Sequence, residues 1–96
     1  MLSICIPVYN YSVHTLVKQL SEQCEKNNIQ FEINIFEDGS DSVFVDFNKN
    51  VTNYKNTNHL ISKTNIGRSA ARNYLAHISK FDKLIFVDCD SEIPSD

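Results

Sequence analysis

The sequence predicts an α/β domain built on a parallel sheet, and three observations carry that expectation. Four short apolar runs recur with little polar alternation, the pattern of strands covered on both faces. Between them lie stretches whose apolar residues repeat at helical spacing. Each run stops at a polar cluster: Tyr9-Asn10, Glu37-Asp38-Gly39-Ser40, Lys63-Asn65 and Asp88-Cys89-Asp90. The order β-α-β-α-β-α-β implies parallel strands joined by right-handed crossovers. All four clusters then meet at the carboxyl edge of one sheet, where open α/β folds keep their ligands.

The first strand is expected over Leu2 to Ile6, with Pro7 ending it because proline cannot donate to a ladder. A helix follows from about Ser12, a candidate N-cap, to Asn27, with Val13, Leu16, Val17, Leu20 and Cys24 on one stripe. Phe31 to Phe36 reads as the second strand. Gly39 permits a tight turn, and Ser40 or Asp41 can cap a short helix carrying Val43, Phe44 and Phe47. The Asn-rich run from Thr52 to Asn58 reads as an irregular loop. His59 to Ser62 is a short third strand. A third helix runs from about Arg68 to Ser79, with Ala70, Ala71, Tyr74, Leu75 and Ile78 as its apolar stripe. The fourth strand is the stretch KLIFVDCD, Lys83 to Asp90, in which Leu84 to Val87 are apolar.

Ninety-six residues make one small domain or part of a larger one. With 42% hydrophobic and 22% charged residues the chain reads as globular, and a net charge of -3 offers no basic surface for nucleic acid. No stretch has the length of a membrane span, and MLSICIPVYN lacks the basic region of a signal peptide. Three cysteines make no disulfide framework, so reduced thiols in a cytoplasm are the simplest account. Cys5 and Cys24 fall on core faces, and Cys89 reads as filler rather than as a thiolate ligand. The histidines His14, His59 and His77 carry no ligand spacing.

Asp88 and Asp90 leave the sheet two residues apart and can turn towards one point. Paired carboxylates there can hold a hard divalent cation that in turn holds a diphosphate. The competing reading is a solvated strand-end loop. Arg68 and Arg72, four apart, share a face at the start of the third helix, where a helix N-terminus already favours anions. Glu92 is a further acid, read as a solvated residue before Pro94.

Taken in order, SICIPVYN, INIFEDGSDS, NIGRSAARNYLA and KLIFVDCD resemble the N-terminal half of a family 2 glycosyltransferase with the GT-A fold. The resemblance covers essentially the whole chain. It implies a Rossmann-like three-layer α/β/α domain with strand order 3-2-1-4, truncated after the acidic motif. It also implies a nucleotide-sugar donor, commonly a UDP-sugar, bound through Mn2+ or Mg2+. On that likeness Pro7, Val8 and Tyr9 line the nucleotide site, and Asp38 accepts from the nucleobase, a charge-assisted hydrogen bond that also selects the base. Asp38 can otherwise be a plain turn residue before Gly39. Glu37 is expected to be secondary to Asp38. Arg72 matches an arginine near the nucleotide and phosphates, with an ion pair as its structural alternative. Asn73 is expected to tie strand-end loops. Asp90 is expected as direct metal ligand and Asp88 on the ribose or a metal-bound water.

The likeness further implies an acceptor saccharide or lipid-linked saccharide, with the acceptor-binding half and the catalytic base beyond Asp96, so that these residues alone transfer no sugar. A cytoplasmic location, or one peripheral to the inner face of a membrane, fits it. In the implied order the fourth strand is an edge, so self-association through it, most simply as a two-fold dimer, is expected. Two alternatives stand beside this reading. One is a haloacid-dehalogenase-like phosphatase with Asp88 as nucleophile, although that family places its motif after the first strand. The other is a non-enzymatic nucleotide-binding or assembly module.

Overall fold

The structure is a computed structural model and describes residues 1–90. Four parallel strands form one sheet in the order β3-β2-β1-β4, the expected topology. The elements are β1 (Leu2–Val8), α1 (His14–Lys26), β2 (Phe31–Asp38), α2 (Ser42–Asn48), a 3-10 turn (Lys49–Asn53), β3 (Thr57–Ser62), α3 (Arg68–Ile78) and β4 (Leu84–Phe86). Glu92, considered from the sequence, lies outside the described residues.

Helices cover both faces of the sheet. On one side Ile4, Ile6, Val8, Ile33 and Ile35 pack with Val13, Leu16, Val17, Leu20 and Cys24, the whole apolar stripe of α1, and with Val51 of the 3-10 turn. On the other side Cys5 and Phe36 pack with Ala71 and Leu75 of α3. Only part of the α3 stripe is used, for Ala70 and Tyr74 are exposed. Beneath the C-terminal end of α3 the sheet face is polar. Ser3 Oγ and the Lys80 N–H both donate to Glu32 Oε2, at 2.6 and 2.5 Å. Asn58 Nδ2 donates to Asn34 Oδ1 at 2.9 Å. These groups are buried but paired, so they cost far less than orphaned ones would.

Several boundaries differ from expectation, each for a visible reason. β1 continues through Pro7 to Val8. The backbone groups of Ser3 and Cys5 bond to β4, so Pro7 faces the same side, beyond the last paired residue of β4. Its missing N–H therefore removes no ladder bond. β2 runs to Asp38 and is buried throughout. Ser12 does not cap α1. The cap position is Val13, and the donor there goes to Asn48 Oδ1 at 3.1 Å. Neither Ser40 nor Asp41 caps α2 with its side chain. Part of the run read as loop is instead the 3-10 turn, and β3 begins at Thr57. β4 keeps only three residues and is not covered on both faces, with Ile85 45% exposed. It stands at the end of the sheet, where the flanking helices reach it only in part.

Candidate functional site

A cavity of about 420 Å3 opens at the carboxyl edge of the sheet, within the range of small-molecule sites. Its lining includes Pro7, Val8, Tyr9 and Tyr11 from the end of β1 and the loop after it, Asp38 from β2, Gly67 and Arg68 at the start of α3, and Asp88, Cys89 and Asp90 after β4. Residues as distant in sequence as Pro7 and Asp90 thus meet because parallel strands bring their ends to one edge.

The loops around the cavity are tied to one another. The Asn10 N–H donates to Ser40 Oγ at 2.9 Å, and the Asp41 N–H donates to Asn10 Oδ1 at 2.7 Å. Ser40 therefore serves a loop contact in place of the helix cap read from the sequence. Asn48 donates to the Tyr11 carbonyl at 2.7 Å and to Glu37 Oε2 at 2.8 Å. His59 Nε2 also bonds that oxygen, at 2.9 Å. Glu37 is fully buried and absent from the cavity lining. Through Asn48 it braces the loop that carries Tyr9 and Tyr11.

Asp38 has a role that no local pattern signals. Its Oδ1 accepts from the Ile66 N–H at 2.6 Å and its Oδ2 from the Gly67 N–H at 3.1 Å. Asn65 Nδ2 donates to the Asp38 carbonyl at 3.0 Å. The β3–α3 loop is thus clasped onto the end of β2. Each carboxylate oxygen keeps a second lone pair for a ligand donor. Gly39 makes the clasp possible: it has φ +73°, and a Cβ there would lie 2.5 Å from the Asn65 backbone N. The single-sequence signal for this was the Asp-Gly pair at a strand end. Its long-range partner could not be read.

Of the other expected site residues, Asp88 and Asp90 face the cavity together. Asp88 Oδ1 is engaged by Arg68 Nη2 at 2.9 Å. Arg72 does not line the cavity, and its guanidinium lies 4.6 Å from the centroid of the Phe86 ring, a cation–π contact. Asn73 is exposed, and Asn65 ties the loops in its place. Cys89 packs against the α1-side core, and burial pushes its thiol up from the ordinary value, with the Asp90 and Asp88 carboxylates acting in the same direction. It also lines the cavity, between Asp88 and Asp90. Among the described residues no three His, Cys, Asp or Glu side chains gather as a metal cage.

The glycosyl transferase family 2 sequence pattern matches residues 3–96. The chain belongs to that family. Two solved structures share its fold. The crystal structure of S. aureus TarS 1-349 superposes with a TM-score of 0.81 at 24% identity, covering 98% of this chain and 28% of that one. The crystal structure of S. aureus TarS superposes with a TM-score of 0.69 at 22% identity, covering 93% of this chain and 16% of that one. No curated protein matches the sequence. The domain is accordingly the Rossmann-like, GT-A portion of a family 2 transferase fold, and it spans under a third of the TarS chains it resembles. Family membership displaces the phosphatase reading, whose acidic motif belongs after a first strand.

Proposed function

We propose that this domain binds a nucleotide-diphosphate sugar, a UDP-sugar in the first instance, for transfer to an acceptor hydroxyl of a saccharide or lipid-linked saccharide. One observation supports this above the rest: the family-matched chain places Asp38, Asp88 and Asp90 on the wall of a single cavity with the Pro7-Val8-Tyr9 segment. The Tyr9 side chain, 56% exposed, offers an aromatic surface beside Asp38. Asp38 accepts an N–H of the base through a free lone pair while its clasp holds the loop in place. Such a bond to a fixed charge is strong and directional.

Asp88 and Asp90 are hard oxygen donors at the solvated end of β4, and they fit a cation that takes the rest of its coordination from water and phosphate. Bound there, Mn2+ or Mg2+ supplies Lewis-acid stabilisation of the leaving diphosphate. Asp90 is the direct ligand, and Asp88 serves the ribose or a metal-bound water. The acceptor contacts and the base come from chain beyond these residues, which alone transfer no sugar. The length of the TarS structures, more than three times what this chain covers, supports that division. The free thiols Cys5, Cys24 and Cys89 support a reducing, cytoplasmic setting.

Titration calorimetry with UDP, with and without Mn2+, tests the reading. Binding that strengthens markedly with Mn2+, and that loses this dependence in Asp90→Asn, is the expected result. Equal binding with and without the metal, or none, overturns it.

A further inference from the structure

The cavity wall carries the carboxylates Asp38, Asp88 and Asp90 and, among its lining residues, the single cation Arg68. A diphosphate entering this cavity meets an excess of negative charge unless that cation turns to it. Arg68 is instead committed to Asp88 Oδ1 at 2.9 Å. The two side chains are 69% and 60% exposed, and an ion pair in such contact with water is held weakly.

The surroundings favour a side chain that can change partners. Asp38 pins the Ile66 and Gly67 N–H groups, so the backbone directly before Arg68 is anchored while its long side chain extends over the cavity. The N-cap residue of α3, Gly67, has no side chain of its own to cap the helix, and the first turn of α3 itself holds no acid, so Asp38, already engaged by the Ile66 and Gly67 N–H groups, is the acid at this helix start. Its planar fork matches two phosphate oxygens better than it matches one carboxylate oxygen.

We propose that Arg68 is an exchangeable diphosphate ligand. In the donor-free protein it occupies Asp88. When the donor binds, it leaves that carboxylate for the phosphate oxygens, and the freed Asp88 turns to the ribose or to the cation. This inference rests on the donor-site reading above. One consequence is that metal and diphosphate bind cooperatively, because each favours the state in which the Arg68–Asp88 pair is open. Another is that the donor-free protein takes up metal poorly, its second carboxylate being already neutralised.

The test uses the 96-residue chain, with uridine, UDP and Mn2+ as probes, and the variants Arg68→Gln, Arg68→Lys and Asp88→Asn. Arg68→Gln should lower UDP affinity about tenfold, leave uridine affinity unchanged, and raise the Mn2+ affinity of the nucleotide-free protein several-fold by electron paramagnetic resonance. Arg68→Lys should recover part of the UDP affinity at low salt. Asp88→Asn should strengthen metal-free UDP binding, and that gain should vanish when Arg68→Gln is added. A scaffold role for Arg68 would predict none of these opposed changes. UDP and Mn2+ affinities unaltered by Arg68→Gln, in a protein that binds UDP, overturn the exchange alone. Equal loss of uridine and UDP, with the circular dichroism intact, also overturns it by making Arg68 a loop support. A wild-type chain that binds neither uridine nor UDP overturns the donor-site reading, and the exchange with it.

Discussion

Replacing Gly39 by alanine is the sharpest probe of the link between fold and site. The new Cβ would sit 2.5 Å from the Asn65 N, 2.8 Å from the Thr64 carbonyl carbon and 2.9 Å from the Asn65 Cα. All three are backbone atoms, so no side chain can rotate away, and the β3–α3 loop must shift. Holding alanine at φ +73° costs about 1–2 kcal/mol. A shifted loop also loosens the clasp, in which Asp38 accepts from the Ile66 and Gly67 N–H groups. Losing one such bond to a charged acceptor costs about 1.5–3 kcal/mol. The sum, about 2.5–5 kcal/mol, is a large share of the ~5–15 kcal/mol that holds a domain folded. Urea unfolding followed by circular dichroism should show the midpoint fall by about 1–3 M. Because Gly39→Ala and Asp38→Asn break the same clasp, the double variant should be less destabilised than the sum by at least about 1 kcal/mol. A loss under about 1 kcal/mol for Gly39→Ala, or strict additivity with Asp38→Asn, would refute the clasp.

Other outcomes follow from the same geometry. Asp38→Ala should weaken UDP binding by about 1.5–3 kcal/mol, read by calorimetry under conditions where the variant is folded, and unchanged affinity would remove Asp38 from the site. Mn2+ should bind mainly in the presence of UDP, since two carboxylates leave most of its coordination sphere unfilled; equally tight binding by the bare protein would contradict that. Burial raises the thiols of Cys5, Cys24 and Cys89 above the ordinary 9.0. The unfolded chain then loses these protons first, so stability is complete below pH 9 and falls as the pH rises through the raised folded values. Cys24→Ala should flatten that alkaline slope in urea titrations at pH 8 to 10.5, and an unchanged slope would exclude Cys24 from it. The outer edge of β4 pairs with no described strand and Ile85 is 45% exposed, so light scattering at micromolar concentration should find a dimer, with a monodisperse monomer as the contrary result.

The sequence by itself determined what depends on neighbours along the chain. The α1 stripe was legible because Val13, Leu16, Val17, Leu20 and Cys24 repeat at the helical period, and all five are buried. The alternation of strands and helices implied the parallel sheet, and parallel strands bring Tyr9, Asp38 and Asp88 to one edge whatever the details of packing. Likeness to a family supplied the strand order, which the sheet shows, and the roles expected of the acids. Only the tertiary structure decided how those acids are held. Glu37 meets His59 across 22 residues, the Lys80 N–H meets Glu32 across 48, and Asp38 clasps a loop 28 residues downstream. It also decided that Arg68 rather than Arg72 reaches the cavity, though both share one helical face by spacing. The apolar run of β4 announced a strand but not how much cover it would find, and Ile85 stays half in water. Periodicity records which side of an element is apolar. What that side meets, and which hydrogen-bond partner a buried carboxylate finds, depends on contacts between distant segments that form only when the sheet closes.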